Sequence, residues 1–252
     1  MRAALNRAMD QLEAVPPPTL HITLLGEFSV RRGEVRIAAE AWSRPAARQL
    51  LQYFCLHRGE RLRRTRVLRE VWPDNDPTSA ASAFRTVLSR LGHVIEPYLR
   101  SRAPLRYFEI DAETICFDPQ QRLVQLDSDA FLAAIAMARS NRLLSDAALS
   151  DLIAALEAWR TPLHEVRYAD WAQDFIEYIN AAYVDGCVRV AEVLAERHRA
   201  DGINDLKQAG TLGQMPPRQA APLARAGLAA LIRAVARQTA AAMPLRLCDR
   251  AI

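Results

Sequence analysis

Hydrophobic and polar positions change rhythm along the chain. The stretch LHITLLGEFSVRRGEVRIAAE is rich in β-branched residues, alternates around Phe28–Val30 and carries a turn at Arg32–Gly33, which predicts short antiparallel strands. From Ser43 the period becomes helical. SRPAARQLLQYFCLHRG sets Ala47, Leu50, Leu51, Phe54 and Cys55 at i, i+3, i+4 spacing, with Ser43 as cap, Pro45 in the first turn and Gly59 as stop. RRTRVLREVW predicts a second helix with Val67, Leu68, Val71 and Trp72 inward, and the break WPDNDP ends it with turn chemistry. TSAASAFRTVLSRLGHVIEPYL predicts a third, its stripe being Phe84, Val87, Leu88, Leu91 and Ile95, and RYFEIDAETICFDP reads as two strands around Asp111–Glu113.

After Leu126 the chain turns helical and acidic. DSDAFLAAIAMAR starts at Asp127 or Ser128 and points Phe131, Ile135 and Met137 or Ala138 inward. A polar loop leads to DLIAALEAWR, then a turn at Pro162, YADWAQDFIEYINAAYVDGCVRVAEVLAERHRADG and an alanine-rich end. Trp159, Trp171, Phe175, Tyr178 and Tyr183 fall at helical spacing and read as core. The fold class is mainly α with a small β component: an N-terminal winged helix-turn-helix plus a C-terminal tetratricopeptide-like α-helical domain. The domains read as an extension (1–18, closing on Pro16–Pro18), a winged helix (19–126) and helical repeats (127–252), poorly formed or truncated after about 202, where INDLKQAG breaks the pattern and Pro244 interrupts the last repeat.

Charge sharpens this division. Residues 41–106 hold thirteen arginines against five acids, a balance of +8, whereas 107–200 hold eight against sixteen, a balance of −8. A basic module beside an acidic one predicts two modules with different partners, the basic one facing a polyanion. Composition excludes other classes. With 50% hydrophobic residues the chain is not disordered, and no apolar run reaches the roughly 18 residues of a membrane span. MRAALNRAMDQLEAVPPP lacks the apolar centre of a signal peptide, so a cytoplasmic location with no membrane partner is expected. Cys55, Cys116, Cys187 and Cys248 lie far apart and read as scattered thiols, not a zinc site or disulfide framework. Phosphate-loop glycines, GxSxG and HExxH are missing, and His57, His93, His164 and His198 have no nucleophile or carboxylate that spacing places beside them. No catalytic residue, cofactor or metal is expected.

The third helix carries the candidate chemistry. Ser79, Ala80, Ser82 and Thr86 permit close approach, and Arg85 and Arg90 reach phosphates or guanine edges. No acid occurs between Thr78 and His93, where an ordinary solvated face would carry glutamate.

These residues resemble a known family. LLGEFSV, QLLQYFCLHRG, LREVWPDNDP and LSRL are similar to the OmpR/PhoB-type winged helix of SARP-like transcriptional regulators. LIAALEAWRTPL and YADWAQDFIEYINAAYVDGCVRVAEVLAERHRADG resemble its bacterial transcriptional activation domain (BTAD), and the likeness covers roughly residues 19–202. The resemblance implies a regulator of transcription, an activator more than a repressor, located on the bacterial nucleoid. It implies double-stranded DNA as partner, a homodimer on DNA, contact with RNA polymerase through the BTAD, and a wing touching the flanking minor groove or backbone. Carried over by position, the groove-facing residues are Ser82, Arg85, Thr86, Ser89 and Arg90, with Arg63, Arg64 and Arg106 as weaker phosphate contacts. Gly92–His93 stand where the family continues with a basic residue, which predicts a recognition helix that ends or bends early. Eighteen residues ahead of the winged helix cannot hold a receiver domain and no ATPase follows, so a signal is expected to act through the helical module, a partner or expression level. The alternative is a protein-interaction scaffold in which helical repeats hold the partner and the winged helix is a docking module.

Overall fold

Apolar residues of the first half gather around one helix. The computed structural model describes residues 15–42, 45–100, 103–141 and 143–209, the stretch 198–209 as backbone only. Ser43, Cys248 and the alanine-rich end therefore lie outside the described residues. Strands β1 (Leu20–Thr23), β2 (Ser29–Arg32) and β3 (Val35–Arg36) form an antiparallel ribbon, Leu20 opposite Arg32 and Ile22 opposite Val30. Helix α1 (Pro45–Leu56) follows, opening on its proline as the sequence predicts, and then β4 (Arg61–Arg63), α2 (Arg64–Val71), α3 (Pro77–Ile95) and the hairpin β5 (Phe108–Ile110) and β6 (Thr114–Phe117). Strand β7 (Val124–Leu126) runs parallel to β1 and completes the sheet β3-β2-β1-β7, while β4-β6-β5 form a second sheet. The remaining elements are α4 (Asp127–Ser140), α5 (Asp146–Ala158) and the 40-residue α6 (Asp170–Ala209), which runs past position 202. The chain is mainly helical with small sheets, in agreement with the sequence reading.

Two compact units divide the chain, and the division is not at a single point. The first takes the residues up to Phe131 together with Trp159–Ile179; the second takes Leu132–Ala158 and the chain from Asn180. In the first unit α1 is enclosed on every side from Leu50 to Cys55. Its predicted stripe is buried, and so are Gln52 and Tyr53 on the opposite face. Phe54 packs edge-on against Phe108 at 5.2 Å and lies near Phe117, while Tyr53 meets Trp171 edge-on at 5.4 Å. Each such aromatic contributes roughly 1.5–3 kcal/mol by leaving water. The segment after Trp159 is laid onto the residues that follow β1 by backbone bonds from Leu163 N–H to the Leu24 carbonyl and from Gly26 N–H to that of Thr161. Leu163, Val166 and Ala172 thereby join the same core.

Helix α3 packs on α1 and α2 through Phe84, Val87, Leu91 and Ile95. It does not end at Gly92, as the sequence allowed, but continues to Ile95. Gly92 is buried, and a Cβ there would come within 2.5 Å of the Leu105 side chain, so the glycine is present to admit that leucine. The Glu96 N–H then closes the helix on the Gly92 carbonyl at 2.8 Å.

In the second unit Ile135, Ala138, Leu149, Leu152, Leu156, Cys187, Val190 and Val193 form the interior. Of the two inward candidates on α4, Ala138 is buried and Met137 is 45% exposed. Arg189 donates to the carbonyls of Ala138 and Asn141, closing the C-terminal end of α4. Of the five aromatics read as core, Tyr178 is exposed and the other four are buried or half-buried. Cys55, Cys116 and Cys187 are buried free thiols.

Close contact at Gly92 has a measurable consequence. Gly92→Ala is expected to withhold the roughly 1 kcal/mol that this change gives in an open helix. It should deliver that gain only in a Leu105→Ala background, as read by thermal unfolding of the four proteins of the double-mutant cycle.

Candidate nucleic-acid interface

The outer face of α3 is set by its first turn. Asp76 caps the helix, accepting from Thr78 N–H at 2.9 Å and Ser79 N–H at 3.0 Å, and Pro77 takes the first helical position. These bonds, led by those with Ser79, hold the Asp76 carboxyl below its ordinary range. Beyond the cap Ser82, Arg85, Thr86, Ser89 and His93 are exposed and Arg90 is half-buried. Thr86 donates its hydroxyl to the Ser82 carbonyl at 3.0 Å, and Arg85 Nε donates to the Ala81 carbonyl at 3.1 Å, so both side chains are steadied by their own helix.

That face divides lengthwise. Ser79, Ser82, Thr86 and Arg90 line an open cleft of about 470 Å³ whose far wall is Trp72 and Ala46. Arg85 and Ser89 do not line it, although all five predicted groove-facing residues share one exposed helix surface.

The arginines of the basic block sort into two kinds. Arg48 pairs with Glu165, Arg58 with Asp129 at 2.6 Å, Arg61 with Glu109 at 2.8 Å and Arg66 with Glu60 and Glu70 at 2.6 and 2.9 Å. Partial burial pulls Glu60 and Glu70 upward, but hydrogen bonds and charge from His57 and Arg66 at the first, and from Tyr53 and Arg66 at the second, outweigh it and keep both below the ordinary range. Arg106 pairs with Glu96 at 2.7 Å, and that carboxylate is 1% exposed. Among the described residues Arg63, Arg64, Arg69, Arg85 and Arg90 have no carboxylate partner.

Four of the five arginines predicted to touch DNA are thus uncommitted, and Arg106 is engaged within the protein. Arg85 and Arg90 share α3. Arg63 sits on β4 opposite Thr114, and Arg64 opens α2. Sequence reasoning missed Arg69, exposed in the last turn of α2, and the wall made by Trp72 and Ala46; only the charge balance pointed to the first. No group of His, Cys, Asp and Glu among the described residues could hold a metal ion. None of the helices described is long and apolar enough to cross a membrane.

No family model matches the chain, and no curated protein matches it. Among solved structures it is similar to Mycobacterium tuberculosis EmbR in complex with a low-affinity phosphopeptide, with a TM-score of 0.57 and 18% identity over 77% of this chain and 50% of that one. The chain thus spans half the length of the EmbR chain. At this identity the likeness is one of fold alone.

The two kinds of arginine should separate in stability. Arg106→Ala leaves the Glu96 carboxylate buried without a counter-charge and is expected to cost about 3–5 kcal/mol. Arg85→Ala and Arg90→Ala should stay within about 0.5 kcal/mol of the parent in chemical denaturation.

Proposed function

We propose that this chain is a sequence-specific DNA-binding transcriptional regulator, acting as an activator in the cytoplasm on the bacterial nucleoid. The observation that carries the reading is the exposed, acid-free face of α3, bearing arginines that no carboxylate of the protein has claimed. Arginines left without internal partners are the ones able to replace counterions along a duplex.

In this mechanism α3 enters the major groove. Arg85 and Ser89, outside the cleft, read base edges, while Ser82, Thr86 and Arg90 grip the sugar-phosphate strand lying against Trp72. Arg63 and Arg64 add phosphate contacts, and Arg106 serves by holding the loop before β5 to Glu96. The helical part is read as a tetratricopeptide-like BTAD that pairs two protomers over half-sites about one DNA turn apart and contacts RNA polymerase. The fold-level likeness to EmbR supports this family of readings.

A second reading, the interaction scaffold, is favoured by one observation: Val184, Val188 and Leu194 on α6 are 38%, 53% and 48% exposed. It predicts a helical part that binds a protein partner in a chain with no affinity for DNA.

Electrophoretic shift against genomic fragments at two salt concentrations tests the first reading. Binding should weaken steeply with salt; Arg85→Ala should lower the affinity for the specific site by about ten-fold or more, equivalent to the roughly 1–3 kcal/mol of a good base contact, and Arg90→Ala should weaken binding to all sequences alike and reduce the salt slope by about one. Salt-insensitive or absent binding counts against it.

A further inference from the structure

The hairpin that follows Leu105 and Arg106, both seated on the C-terminal end of α3, carries the wrong charge for the part that a wing plays. Strand β5 and the turn after it present Glu109, Asp111 and Glu113, all exposed. One guanidinium serves two of them: Arg61 reaches Glu109 at 2.8 Å and Asp111 at 3.2 Å. The register explains the meeting, because Arg61 and Glu109 both pair with Cys116 from opposite sides of β6, and Arg63 pairs with Thr114. Asp111 also builds the turn, accepting from the N–H groups of Glu113 and Thr114 and from the Thr114 hydroxyl at 2.6–2.8 Å. Those bonds, led by the Thr114 hydroxyl, hold its carboxyl at about 2, so it stays charged throughout the physiological range.

We propose that this hairpin is a repulsive boundary of the DNA interface: Glu109, Asp111 and Glu113 keep the duplex off the wing, leaving α3 to hold it. The inference rests on the DNA-binding reading and departs from the wing contact that the family resemblance implies. The Arg61 guanidinium touches two of the acids, and Thr114, opposite Arg63, directly follows Glu113; within the screening length of about 8–10 Å in physiological salt the acids therefore cancel the field of Arg61 and weaken that of Arg63. A phosphate approaching β5 and the turn after it meets no net attraction, whereas one approaching α3 meets Arg85 and Arg90 with no acid on that face. Repulsion on one flank fixes how the duplex can lie, which is how a charged surface rejects wrong geometries.

The test neutralises Glu109→Gln and Glu113→Gln together and leaves Asp111 to hold the turn. Asp151→Asn with Asp174→Asn, both exposed elsewhere, matches the change in net charge. The hairpin pair should bind duplexes of any sequence about three- to ten-fold more tightly at low salt, with a steeper salt dependence, and the matched pair less than about two-fold. Unchanged affinity of the hairpin pair, or an equal gain in the matched pair, overturns the proposal. Arg85→Ala and Arg90→Ala, run alongside, keep the two claims apart: their loss of binding with an unchanged hairpin pair sinks only the boundary. If neither weakens binding in either background, the DNA-binding reading itself falls and takes the boundary with it.

Discussion

Enclosure of α1 is the constraint from which the first unit takes its form. Leu50, Leu51, Tyr53 and Phe54 have no exposed surface, and a helix buried on both faces cannot roll to accommodate its neighbours. Helix α3 packs against it through one stripe, so its opposite stripe has only solvent to face. The segment from Trp159 to Ile179 supplies the second half of the enclosure, with Trp171 on Tyr53 and Glu165 on Arg48 and Gln52. A stretch that follows α5 in the sequence therefore belongs structurally to the element that positions the candidate interface.

Burial also decides which charges are available. Arg48, Arg58, Arg66 and Arg106, each drawn partly out of water, find a carboxylate, Arg48 and Arg58 from distant parts of the chain. The arginines that remain without one lie on α2 and α3 and at the end of β4, Arg63, Arg69 and Arg85 exposed and Arg64 and Arg90 half-buried. Net charge over residues 41–106 thus overstates the attraction a polyanion would meet. The useful part is the remainder after the internal pairs are formed, and the acids of β5 and its turn reduce it further on one flank.

Local order was well written in the residues. Periodicity found α1, α2 and α3, because helical bonds and the stripes they align depend on neighbours three and four positions away. Turn chemistry found the β2–β3 and β5–β6 hairpins for the same reason. Strands β4 and β7 escaped notice: each has three residues, and each is a strand only because a partner from another part of the chain supplies its bonds. Gly92 looked like a helix breaker because its reason for being there, the Leu105 side chain, arrives from thirteen residues away.

For the candidate interface, the sequence by itself determined that a helix from about 77 to 95 would carry Ser82, Arg85, Thr86, Ser89 and Arg90 on a surface without acids, since identity and helical spacing need nothing beyond the chain. Tertiary structure alone decided which arginines are spoken for, that Arg106 belongs to Glu96, and that Trp72 and Ala46 wall one side of that surface. Ion pairs and clefts join residues remote in sequence, and only the packed chain brings such groups within the few ångströms over which charge and contact act.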